Sequence, residues 1–174
     1  KENNLRLDYV AFHNYGTSPM EINQRGGRIT VKNNINRYFD FMKMINERGF
    51  GDREIICDEW GASSHGYYNI EECPAFMFRE NEIYSAYYAR FIYELIKLNT
   101  PLSKMLICLS GQHEMVTDFS GFRNFFTLNF IRKPIYNAYV LASKLKEGLL
   151  DAENENENIF VIPTKDEKGD YSVM

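Results

Sequence analysis

Apolar and polar residues alternate along this chain in two distinct rhythms. The run Leu7 to Phe12 is almost continuously apolar and stops at the polar-aromatic cluster His13, Asn14, Tyr15, Gly16. Continuous rather than alternating hydrophobicity predicts a strand buried on both faces. From Ile29 to Arg48 the residues Val31, Ile35, Tyr38, Phe39, Met42 and Ile45 recur every three or four positions, which predicts a helix ended by Gly49. A second short strand is predicted over Glu54 to Cys57, running out into Asp58, Glu59, Trp60 and Gly61, with a long loop from there to about Arg79. The clearest helical stretch is Glu80 to Leu98, with Ile83, Tyr84, Tyr87, Tyr88, Phe91, Ile92, Leu95 and Ile96 on one broad apolar face, closed by Thr100 and Pro101. Lys104 to Leu109 reads as a third buried strand, followed by Ser110, Gly111, Gln112, His113 and Glu114. Lys133 and Pro134 open a last helix through about Lys146, with the proline in the first turn where its missing N–H does no harm.

Strand, helix, strand, helix, strand, helix predicts an α/β fold with a parallel sheet covered by helices, because parallel neighbours need a crossover between them. In such folds function gathers at the carboxyl ends of the strands. The Glu- and Asn-rich run from Asp151 to Asn158 changes the character of the chain and is expected as a linker. Beyond it, Ile159 to Ile162 starts a strand, Asp166 to Gly169 makes a hairpin turn and Tyr171 to Met174 returns. The expected division is residues 1–150 as one α/β unit and 151–174 as a linker with the opening strands of an all-β module.

Composition narrows the field. With 174 residues, 44% hydrophobic and 15% aromatic, the chain has material for a core and is no disordered segment. A formal net charge of -4, with acids and bases interspersed, lacks the basic patch of a nucleic-acid binder. No apolar run approaches the roughly 18 residues of a membrane span. Three cysteines, Cys57, Cys73 and Cys108, are an odd number without zinc-type spacing. Free thiols fit a reducing compartment, so a cytoplasmic setting is the expectation, and no cofactor or metal is expected.

The chemistry-bearing residues sit at predicted strand exits. His13 follows the first strand, His65 lies six residues beyond Glu59, and His113 follows the third strand. Glu59 is the sharpest candidate: a carboxylate after the buried run Ile55, Ile56, Cys57, partly desolvated and held by rigid backbone, suits a nucleophile or general base. It could also cap the following loop. Asp58 competes, because neighbouring strand residues point to opposite faces and only one of the pair can look into a site.

The segments Leu7 to Gly16 (LDYVAFHNYG), Glu54 to Ser63 (EIICDEWGAS) and Phe122 to Leu145, with its run Arg132, Lys133, Pro134, Tyr136, Asn137 and Ala138, resemble the last three βα units of glycoside hydrolase family 39. That family contains β-xylosidases and α-L-iduronidases within a clan of retaining (β/α)8 TIM-barrel glycosidases. The resemblance spans about residues 5 to 174. It implies a C-terminal barrel portion, strands six to eight with their helices, returning into an accessory β-sandwich. Carried over residue by residue, it makes Glu59 the catalytic nucleophile. His13 and Tyr15 would lie beside the carboxylate and the sugar, Trp60 and His113 would line the substrate, and Glu114 would be a substrate-contacting acid. Two departures stand out: Cys108, Leu109, Ser110, Gly111 where the family usually has Trp-x-x-Ser-Asp, and Gly61 after Glu-Trp.

The resemblance also implies a second carboxylic acid after an Asn at the fourth strand, and no Asn-Glu-Pro occurs in this chain. A fragment with the nucleophile and without the acid/base is expected to hydrolyse glycosides negligibly. Its open strand edges are expected to pair with a second copy, giving a homo-oligomer. Two other readings remain at this stage. One is a non-catalytic carbohydrate-binding remnant that stacks sugars on Gly66, Tyr67, Tyr68 and Phe122 to Phe126. The other is a metal-dependent barrel hydrolase using the three histidines.

Overall fold

The computed structural model describes residues 5–24, 28–109, 117–153, 155, 156 and 158–174. Strand β1 (Tyr9–Tyr15) leads through a short helix α1 (Pro19–Gln24) to α2 (Lys32–Glu47), then β2 (Glu54–Gly61). A 3-10 helix (Pro74–Glu80), α3 (Glu82–Lys97), β3 (Leu102–Ile107) and α4 (Pro134–Ala142) follow. The chain ends in β4 (Gly148–Leu149), β5 (Pro163–Lys165) and β6 (Tyr171–Val173). β1, β2 and β3 form one sheet in that order, parallel throughout, and β4, β5 and β6 form a second, antiparallel sheet.

Alternation along the strands separates two faces of the parallel sheet. Phe12 and Asn14 of β1 and Ile55, Cys57 and Trp60 of β2 are buried toward the helices. Phe12 stacks on Phe41 of α2 at 4.0 Å, and Trp60 stacks on Tyr88 of α3 at 5.6 Å. The α2 face therefore runs through Asn34, Tyr38 and Ile45, with Phe41 packed alongside, while Phe39 stays 47% exposed. The opposite face of the sheet bears Ala11, His13, Tyr15, Ile56, Glu59 and Leu106, of which Leu106 is 54% exposed.

The two sheet ladders record the same irregularity. Phe12 pairs with Cys57 but His13 pairs with Glu59, and on the other side Cys57 pairs with Met105 but Trp60 with Ile107. β2 thus carries one residue too many at Asp58–Glu59, a β-bulge that reverses the facing of everything beyond it. The Cys57 thiol donates across it to the carbonyl of Glu59 (3.4 Å).

Behind the sheet a buried polar network ties four elements together. Asn34 of α2 donates to the carbonyl and side-chain oxygens of Asn14 (3.0 and 3.1 Å) and to the carbonyl of Gly61 (3.3 Å), and it accepts from the Tyr87 hydroxyl of α3. Gly16 sits where the chain crosses this network. A Cβ there would lie 2.4 Å from the Asn34 side-chain oxygen and 2.5 Å from the Tyr87 oxygen, so only glycine fits.

Several boundaries differ from the sequence expectation for physical reasons. β1 and β2 run through their polar ends, because ladder pairing continues to Tyr15 and Gly61 and Gly16 N then donates to the Gly61 carbonyl. The final helix stops at Ala142 rather than near Lys146. The residues after it are taken up by the antiparallel sheet, where the amide of Lys146 donates to Thr164 Oγ1 and Ser172 Oγ donates to the carbonyl of Lys144. The strand expected over Ile159 to Ile162 instead occupies Pro163–Lys165, with Ile162 and Met174 still exchanging backbone bonds. Helix α1 opens with Ser18 and Glu21 bonded reciprocally, a capping box written in the sequence as Ser-Pro-Met-Glu.

Candidate active site at the carboxyl ends of the parallel strands

The ladder sets His13 opposite Glu59 and Tyr15 opposite Gly61, so two neighbouring strands deliver three functional side chains to one spot. The Tyr15 hydroxyl donates to Glu59 Oε2 at 2.5 Å, and His13 Nδ1 lies 3.3 Å from the same oxygen. Neither contact uses Oε1. The Glu59 side chain keeps 38% of its surface exposed, so it is held but reachable.

The electrostatics follow from that geometry. The hydrogen bond from Tyr15 holds the Glu59 carboxyl below the usual carboxylate range against a partial burial that pushes the other way, with His13, Cys108 and Arg123 adding to the lowering. Tyr15 in turn is raised above an ordinary phenol, first by burial and then by its bonds to Cys108 and Glu59. The phenol therefore stays protonated and remains a donor to an ionised carboxylate.

The bulge removes the expected either-or between Asp58 and Glu59 without changing the candidate. Both carboxylates flank His13, Glu59 at Nδ1 and Asp58 with Oδ1 3.8 Å from Nε2. That second separation is too long for a hydrogen bond. Trp60, expected to line the substrate, lies on the opposite face: it is fully buried among Tyr84, Tyr88 and Phe91 and donates Nε1–H to the Tyr139 hydroxyl at 3.0 Å. Its position corrects that expectation: the extra residue in β2 puts Trp60, rather than Glu59, on the helix face with Ile55 and Cys57 and leaves Glu59 on the other. His113 and Glu114 lie outside the described residues.

His65 is against Ser64 and Tyr68 in the loop after β2, and among the described residues no group of three or more His, Cys, Asp or Glu side chains could hold a metal ion. Cys57, Cys73 and Cys108 form no disulfide with one another. Burial raises the Cys57 thiol to about 12, so it is inert.

Two further residues, neither of them expected at the site from the sequence, complete it. Cys108, the first residue beyond β3, acts on both groups of the pair, raising the Tyr15 phenol and lowering the Glu59 carboxyl. Arg123 is buried, with Nη2 3.4 Å from Cys108 Sγ, Nη1 3.4 Å from the carbonyl of Ser63, and its guanidinium carbon 5.1 Å from the Tyr15 ring centroid. The signal for Cys108 was the one that found Glu59, a reactive side chain just past a buried run. Arg123 carried only the signal of a lone cation inside an aromatic loop.

A buried ion pair carries Arg123 into place. Glu80 Oε1 accepts from Lys133 Nζ (2.7 Å) and from the amide of Gly121 (2.6 Å), and Lys133 also donates to the carbonyl of Phe122 (2.8 Å). Arg79 donates to the carbonyls of Gly121 (3.1 Å) and His65 (2.6 Å), joining the loop after β2 to the loop after β3. Gly121, at φ +89°, adopts a backbone conformation that other residues resist.

No protein-family model and no curated protein matches the chain. Solved structures do. A monomeric β-xylosidase from Caulobacter crescentus CB15 superposes with a TM-score of 0.70 at 14% identity, over 94% of this chain and 32% of its own. The GH39 enzyme from Xanthomonas axonopodis pv. citri gives 0.65 at 16% identity, over 95% of this chain and 32% of its own. A bacterial orthologue of human α-L-iduronidase gives 0.61 at 17%, over 97% and 30%. The chain spans about a third of the length of these proteins. At such identities the likeness is one of fold, and the α/β fold of this chain is similar to that of a segment of glycoside hydrolase family 39 enzymes, the family its motifs resemble.

Proposed function

We propose that this chain is the C-terminal barrel portion of a retaining glycosidase, strands six to eight of a (β/α)8 barrel in residues 1–150, with 151–174 opening an accessory β-module. The observation that carries the reading is Glu59, held through Oε2 by Tyr15 and His13 with Oε1 free of both. The open sheet face supports it too. Beside the Glu54–Lys104 ion pair at one end and the Glu59 cluster at the other, this face bears Ala11, Ile56 and Leu106, apolar side chains that the rest of a barrel would cover.

In this reading Oε1 of Glu59 attacks the anomeric carbon. A C–O bond forms as the glycosidic bond breaks, the departing oxygen takes a proton from a carboxylic acid, and water later cleaves the glycosyl ester. Tyr15 keeps the carboxylate ionised and aimed, and His13 supports the same oxygen. The acid, about 5–5.5 Å from the nucleophile in a retaining enzyme, belongs to a segment outside this chain. A β-xyloside is the substrate class that best fits the fold relatives.

A glycosyl fluoride tests the assignment, because fluoride departs without needing a proton. The 174-residue chain incubated with a 2-fluoro-xylosyl fluoride is expected to carry one sugar on Glu59, found by peptide mass spectrometry and lost in Glu59→Gln. An aryl xyloside should be turned over negligibly by the same chain. A label on another carboxylate, or none at saturating reagent, overturns the nucleophile assignment.

A further inference from the structure

Two loops at the Glu59 end of the sheet have more structure than the attack on one sugar requires. The loop after β2 and the loop after β3 are joined by the Ile70 amide donating to the carbonyl of Ser120 (2.9 Å) and by Arg79 bridging His65 and Gly121. This joined rim touches the site through Arg123. Its guanidinium covers the Tyr15 ring on one side and presses on Gly66 on the other, where a Cβ would lie 2.3 Å from Nη2. Tyr15 binds Glu59, so Glu59, Tyr15, Arg123 and Gly66 form a continuous line of contacts.

Immediately past Gly66 the rim displays aromatic rings to solvent. Tyr67 is 67% exposed and Tyr68 44% exposed, and the Tyr68 ring is steadied 5.1 Å from His65, itself bonded to Ser64. On the facing loop Phe119 is exposed and held at φ 55°, a left-handed backbone that a bulky residue adopts only when its surroundings force it. Phe122, by contrast, is buried and serves the core. A pyranose offers a matching surface: its C–H bonds carry partial positive charge against the negative face of an aromatic ring, and its hydroxyls meet a tyrosine hydroxyl.

We propose that Tyr67, Tyr68 and Phe119 form a stacking site for the further sugar units of an oligosaccharide whose reacting unit sits at Glu59. This rests on the glycosidase reading and deepens it, making the substrate a chain of sugars rather than a small glycoside. The line of contacts through Arg123 is what makes the rim continuous with the site.

Carbon-13 ring labels on tyrosine and histidine in the 174-residue chain allow the two parts to be read separately. Xylotetraose is expected to move the Tyr67 and Tyr68 signals saturably together with those of Tyr15 and His13, while xylose moves only the latter pair. Tyr67→Ala combined with Tyr68→Ala should weaken xylotetraose binding roughly tenfold and leave the xylose response unchanged. Tetraose shifts confined to Tyr15 and His13, or identical responses to both sugars, would sink the stacking site and leave the Glu59 reading intact. Absence of any shift with either sugar would sink both.

Discussion

The two halves of the candidate site are built by opposite means. His13, Tyr15 and Glu59 are set by the backbone ladder of β1 and β2, whose pairing fixes their spacing without help from any buried charge. Arg123 and the rim beside it lie on loops with few ladder bonds, and their placement depends on the fully desolvated Glu80–Lys133 pair with Arg79 beside it. A strand can aim a carboxylate through geometry alone. A loop needs its carbonyls and amides satisfied by side chains that are themselves costly to bury.

The largest expected effect breaks the loop half. Lys133→Met leaves the Glu80 carboxylate buried without its cation and should lower stability by about 3–5 kcal/mol in urea denaturation. A loss below about 1 kcal/mol would mean that the pair behaves like an exposed one and that the loops are held by something else. Gly16→Ala strikes behind the strand half, forcing a methyl group against Asn34 and Tyr87, and should cost about 1–3 kcal/mol. If it is neutral, the packing there yields and the network does not lock β1.

The smallest effect on stability is also the sharpest on the site. Tyr15→Phe removes the main cause of the depressed Glu59 titration, so its carboxyl should titrate at higher pH, read by carbon-13 NMR. A carboxyl depressed in the folded state adds stability that is present above its unfolded value and lost as pH falls through the folded value. The substitution should therefore shrink the acid side of that window. Should Glu59 titrate unchanged, Tyr15 would not be its principal partner.

The same contrast explains what was legible in the sequence. Helices α2 and α3 announce themselves by spacing, since each buries one face. Glu59 and His13 are marked by buried apolar runs that end beside them, while Tyr15 and the preference for Glu59 over Asp58 come from the family resemblance. The bulge could not be found, because no residue type marks an extra position in a strand, and alternation counted straight through Asp58 misplaces Trp60. Nor could Arg123 be found, since its partners come from residues 63 and 108, brought close only by the fold. Local spacing extends helix α4 too far because it carries no notice of the antiparallel sheet that claims its last residues.

The extra residue in β2 also bears on how the chain avoids folding wrongly. Were the strand to slip by one position beyond Cys57, the indole of Trp60 would be pushed into the open and a carboxylate would be driven among Tyr84, Tyr88 and Phe91. Both changes are costly, and they arrive together. The largest apolar side chain of the strand thus proofreads the position of the acid next to it, so a population that has packed its tryptophan has, in the same step, presented Glu59 correctly.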